Sequence, residues 1–130
     1  MSGHLRSAFF VASLALGVAD TAAKDTGRVF VSNEKSNTVS VLDGKTYAPV
    51  ATIRTGKRPR DLKLNSERTR LYVACGDDNR IDVIDVVTLA VVDQIGGIDE
   101  PEVFDIAPDG RQLLRAGRSE ARRSDQRVFR

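Results

Sequence analysis

The chain has no tryptophan, one cysteine and one histidine among 130 residues, and only 5% of it is aromatic. A lone Cys75 forms no intrachain disulfide and builds no cysteine-based metal cage. A lone His4, beside the start methionine, excludes a histidine-based hydrolase triad and a metal site with several histidine ligands. No apolar run reaches the roughly 20 residues a bilayer-spanning helix needs. No window before the last 20 residues has the period of an amphipathic helix. What is present, 41% hydrophobic and 29% charged residues, is the composition of a globular domain.

Charge is unevenly spread. Residues 111–130 hold seven arginines against Glu120 and Asp125, whereas residues 1–110 hold 13 bases and 16 acids. The body is mildly acidic and the end strongly basic. A basic end can bind nucleic acid by releasing counterions. A solvated, disordered tail over 114–130 is the simpler expectation.

The first residues have the order of a secretory signal peptide. Arg6 lies in an acid-free start, Ala8–Val18 is an uncharged apolar run, and Ala19–Ala23 is mostly small. As a helix the apolar run rises only about 16 Å, far short of a bilayer core. Cleavage is expected after Ala23, which removes His4. Export then predicts a periplasmic or secreted protein with no membrane span and no nucleic-acid partner.

The body repeats. Displaced by 42 residues, Val31 falls on Val73, Asn37 on Asn79, Val41 on Val83, Asp43 on Asp85, Thr46 on Thr88, Ile53 on Ile95 and Pro59 on Pro101. Such a period is that of a propeller blade. Local patterns agree. Residues 28–32 and 38–43 alternate in polarity and are rich in β-branched residues, with the polar turn Asn33–Asn37 between them. Asp43-Gly44 is a second turn, residues 49–53 a third strand, Gly56–Pro59 a break and residues 60–65 a fourth strand. The same order returns at 70–74, 80–86, 90–95 and 102–107. The predicted fold is all-β: two four-stranded antiparallel propeller blades (repeat 1 about 28–69, repeat 2 about 70–111) plus the start of a third, within a partial propeller over 24–113.

These motifs resemble the YVTN family of β-propellers. Its naming tetrapeptide appears as Phe30-Val31-Ser32-Asn33 and Tyr72-Val73-Ala74-Cys75, followed by Val39–Asp43 and Ile81–Asp85, Gly56–Pro59, and Ala-Pro-Asp-Gly at 107–110. The resemblance covers about residues 28–113. The runs at 29–43 and 100–110 are similar to exported propellers associated with pyrroloquinoline quinone-dependent alcohol catabolism. That resemblance implies an accessory periplasmic role; the residues, with no tryptophan, a lone Cys75, no histidine after cleavage and no nucleophile–base or metal constellation, point to a non-enzymatic chain that holds no cofactor and no metal. The alternative is a lactonase-like or other propeller enzyme whose site is completed by other blades or subunits.

A closed propeller takes about 4–8 blades. Two blades and one strand leave apolar faces and sheet edges open. The expectation is a truncated reading of a longer propeller, with the tail as a frameshifted end; the rival is self-association through the open faces.

Candidate sites are few. Asp77, Asp78, Asp82 and Asp85 lack the spacing of a calcium loop, and Asp85 serves a turn like Asp43. Cys75 reads as a packing residue. The best candidates for a channel-side binding surface are Arg58 and Arg60 in one loop and Glu100 and Glu102 in its repeat, flanked by Lys57 and Asp99. Their opposite charges can pair across neighbouring blades. The partner or small-molecule ligand is not legible.

Overall fold

The computed structural model describes residues 25–116. The expected signal segment, and the tail from 117 onward, lie outside the described residues. Nine strands follow one another: β1 (Arg28–Asn33), β2 (Thr38–Asp43), β3 (Pro49–Arg54), β4 (Pro59–Leu64), β5 (Arg70–Cys75), β6 (Arg80–Asp85), β7 (Val91–Gly96), β8 (Val103–Ile106) and β9 (Leu113–Ala116). A 3-10 turn at Gly76–Asp78 is the one helical element among the described residues. Every pairing is antiparallel, and the sheets are β1-β2-β3, β4-β5-β6-β7 and β8-β9. The all-β expectation of stacked, incomplete propeller blades holds.

The repeat shows in the bonds. At the first turn Asp43 Oδ1 accepts the N–H groups of Lys45 and Thr46, and Tyr47 takes the left-handed backbone at φ 58°. At the second, Asp85 Oδ1 accepts from Val87 and Thr88, and Leu89 sits at φ 57°. An Asx carboxylate thus organises the same loop twice. The register also slips at equal places, between Val41 and Leu42 and between Val83 and Ile84.

Repeat and sheet are out of phase by one strand. The fourth strand of the first repeat, β4, does not complete the first sheet but opens the second, pairing Leu62 with Val73 and Leu64 with Leu71. The described sheets therefore hold three, four and two strands. The cause lies in the loop between β3 and β4. Gly56 donates its N–H to Asp82 on β6 and Lys57 donates its own to Asp78 in the turn between β5 and β6, which carries the chain across. Pro59 then opens β4, a position where its missing N–H is tolerated. Strand β9 extends past residue 113, into the segment read from sequence as tail. Its backbone pairs with β8 from Leu113↔Ile106 to Ala116↔Val103. Main-chain pairing needs no repeat motif.

Two cores hold the stack. Val39, Val41 and Ile53 of the first sheet meet Leu71, Val73, Cys75, Ile84 and Val86 of the second. Ala74 and Ile81, on the other face of the second sheet, meet Ile98, Phe104 and Leu113. Alternate residues of β5 and β6 thus serve different cores, as strand geometry requires. Full burial of each such aliphatic side chain is worth roughly 1.5–3 kcal/mol. In the second sheet, covered on both sides, the central strand β5 reads as a nearly continuous apolar run after Arg70.

Candidate functional site

The loop that enters β4 runs across the turn of the preceding hairpin. Asn37, at φ 57°, ends that turn, and its Oδ1 accepts the Arg58 N–H at 2.9 Å. Arg58 itself has φ 57°, which is uncommon for a residue with a Cβ. The repeat does the same: Asn79 Oδ1 accepts the Glu100 N–H at 2.9 Å, and Glu100 has φ 37°. The fold therefore places residues 58 and 100 on equivalent backbone positions before the leading strands β4 and β8.

Their side chains diverge. Arg58 reaches Asp77 at 2.8 Å, Glu102 at 3.2 Å and Glu34 at 3.4 Å. Arg60, two residues on, pairs with Glu34 and Glu102. Its backbone carbonyl accepts the Ser32 hydroxyl at 2.9 Å, tying β4 to β1. One lattice of charge thus joins the first sheet through Glu34, the second through Arg58, Arg60 and Asp77, and the approach to β8 through Glu102. The Arg60 hydrogen bond holds the Glu34 carboxyl below its usual range, and the same bond raises the Arg60 guanidinium. Beside the lattice, Asp61 Oδ2 accepts the Phe104 N–H at 3.1 Å, linking β4 to β8.

These groups line an open cleft of about 420 Å³ bounded by Ser32, Glu34, Pro59, Arg60, Asp61, Glu102 and Val103. Four carboxylates (Glu34, Asp61, Asp77, Glu102) outnumber two guanidiniums (Arg58, Arg60) in and around it. Of the four residues expected on a channel-side surface, Arg58, Arg60 and Glu102 are brought together; Glu100 is exposed and is held through its backbone N–H by Asn79. Lys57 likewise engages by its N–H, and Asp99 is exposed. Glu34, Asp61 and Asp77 are the partners that sequence reasoning did not assign. Residue 76, the repeat equivalent of Glu34, is glycine, so the repeat carries no signal for it.

The other acidic residues are spent separately. Asp82 is 1% exposed and accepts from Gly56 N–H and Arg80 Nε, each at 2.7 Å. Asp78 accepts the Lys57 N–H at 2.9 Å and lies 3.6 Å from Arg80. Asp85 pairs with Arg70. Among the described residues no three His, Cys, Asp or Glu side chains are grouped to hold a metal ion. No described helix is long and apolar enough to cross a membrane. Burial, then the neighbouring Asp82 charge, pushes the Cys75 thiol up to about 12.

Antiparallel sheets stacked face to face, the second and third each led by a strand from the preceding repeat, define a β-propeller. The YNCE-like beta-propeller family matches residues 3–119, and the chain belongs to it. No curated protein matches. Solved structures do. Hydrazine synthase of Kuenenia stuttgartiensis is similar with 30% identity and a TM-score of 0.64, over 68% of this chain and 26% of that one. A dihydro-heme d1 dehydrogenase, NirN, is 22% identical with a TM-score of 0.61, over 70% of this chain and 20% of that one. A putative 6-phosphogluconolactonase of Bacteroides fragilis is 20% identical with a TM-score of 0.63, over 71% of this chain and 29% of that one. The chain spans less than a third of the length of each. The last two likenesses speak to the fold alone.

Proposed function

We propose that this chain is an exported binding module of the propeller type, whose partner docks at the cleft between the leading strands. The observation that carries the reading is the convergence of three sheets on one polar cleft, with Arg58, Arg60, Glu34 and Glu102 drawn from separated parts of the chain. The binding role is accessory, not enzymatic. The excess of carboxylates favours a protein partner that presents lysine or arginine side chains. Export rests on the basic, apolar and small-residue order of residues 1–23. The association with pyrroloquinoline quinone-dependent alcohol oxidation rests on the motifs at 29–43 and 100–110 and adds a periplasmic context. A lactonase-like activity has no observation in its favour beyond a shared fold, which hosts many functions.

Titration of the isotope-labelled chain with tetralysine and with tetraglutamate tests this reading. Tetralysine is expected to move the amide signals of Glu34, Arg60 and Glu102, less so at high salt, and Glu34→Gln with Glu102→Gln to remove the response. Equal responses to both peptides, or none, contradict it.

A further inference from the structure

Among the described residues the first and third sheets each have one uncovered face, and these carry the two halves of an interface the chain already uses twice. The forward face of the first sheet presents Phe30 to the core shared with the second sheet. The forward face of the second presents Tyr72, 42 residues later, to the core shared with the third. Leu114 is the next member of that series. It lies on β9 beside Leu113, which is buried against the second sheet, so Leu114 faces the other way, onto a forward face that no described sheet covers.

The rear face shows the complementary half. On the second sheet it consists of Leu71 and Val73, 2% and 0% exposed beneath the first sheet. The equivalents on the first sheet are Val29 and Val31, and Val31 is 41% exposed. The polar position repeats as well. Asp82 on the covered rear face takes the N–H of Gly56 from the preceding sheet; Ser40, its equivalent, takes only the Asn33 amide of its own sheet, at 2.8 Å. The rear face of β1-β2-β3 thus carries the apolar and polar positions that receive a preceding blade, with no blade on it among the described residues.

We propose that copies of this chain associate head to tail, the forward face of β8-β9 in one copy, at Leu114, docking on the rear face of β1-β2-β3 in the next, at Val29 and Val31. A second copy is the occupant because this chain itself presents the matching half, in the order front on rear that both internal interfaces use. Such a contact is heterologous, so each copy keeps one end open for another.

Light scattering on the purified full chain over a dilution series tests the proposal. The wild type is expected at two or more chains per particle, falling to one on dilution. Val31→Asp and Leu114→Asp are each expected to give single chains with an unchanged β-sheet circular dichroism spectrum. Mixed in equal amounts they are expected to form a two-chain particle, since each retains the face the other has lost. A milder Val31→Thr, which keeps the strand preference, is expected to weaken association about tenfold, the ratio for an unpaired hydroxyl on burial. A wild type that is a single chain at every concentration overturns the proposal. So does a mixture of the two aspartate variants that stays single, or an association indifferent to Val31→Thr.

Discussion

The carboxylate of Asp82 and the backbone N–H of Gly56 meet at 2.7 Å across two sheets, where Asp82 is buried and also holds Arg80. This bond brings the chain from β3 to the head of the next sheet. Asp82→Ala leaves the buried Gly56 N–H without its acceptor and the Arg80 guanidinium with only the longer Asp78 contact. The expected loss is about 2–4 kcal/mol of folding stability. Asp82→Asn keeps one acceptor oxygen but turns its amide NH2 toward the other donor, and is expected to lose less than Asp82→Ala. Urea unfolding of the two variants beside the wild type measures both.

Gly56 itself has no room for a side chain. A Cβ there would lie 2.9 Å from Asp78 Oδ2 and from Cys75 Cβ, and 3.0 Å from Arg80 Nη2. Gly56→Ala is therefore expected to cost about 1–3 kcal/mol. At Gly96 a Cβ meets nothing within 4 Å. Gly96→Ala is expected to stay within about 0.5 kcal/mol of wild type. Thermal unfolding of the pair separates a packing effect from a general intolerance of alanine.

Cys75 is buried, and burial together with the Asp82 charge holds its thiol up to about 12. The thiolate is the reactive form. The native chain at pH 8 is expected to resist an aromatic disulfide reagent and to react at once in denaturant. Rapid native labelling is the opposing result.

Acid destabilises through the repeated turns. Hydrogen bonds from the Thr46 N–H, then the Lys45 N–H, lower the Asp43 carboxyl; those from Thr88, with Val87 also contributing, lower Asp85. Both groups hold protons less readily in the folded chain than in the unfolded one. Their contribution is full above about pH 4, and it is lost as pH falls through the folded values. In Asp43→Asn with Asp85→Asn, stability is expected to fall less steeply below pH 4 than in the wild type. Unfolding midpoints between pH 5 and pH 2 test the slope.

Strand positions were legible because alternation at 28–32, 38–43 and their repeats has a single structural reading, and the Asp43 and Asp85 turns because aspartate at that place has a local chemistry. The loops bearing Arg58 and Glu102, and the start of the strand bearing Arg60, were legible as a break and the strand after it. The phase of the sheets was not. A repeat defines a period but no origin, and the origin here depends on which carboxylates receive the Gly56 and Lys57 N–H groups. Glu34 was hidden for a related reason: it sits in a polar turn with no charged counterpart in the second repeat, and only stacking brings it to Arg60. The burial of Asp82 within an acidic run was equally out of reach, because its partner lies 26 residues away.

The cleft exists only if β4 heads the second sheet, since pairing with β3 would carry Arg60 away from Glu102. Cross-strand nuclear Overhauser effects in the isotope-labelled chain test this most directly. Contacts between Leu62 and Val73 and between Leu64 and Leu71 are predicted, from the observed register. Contacts that instead pair Arg60–Leu64 with the residues of β3 would contradict the account.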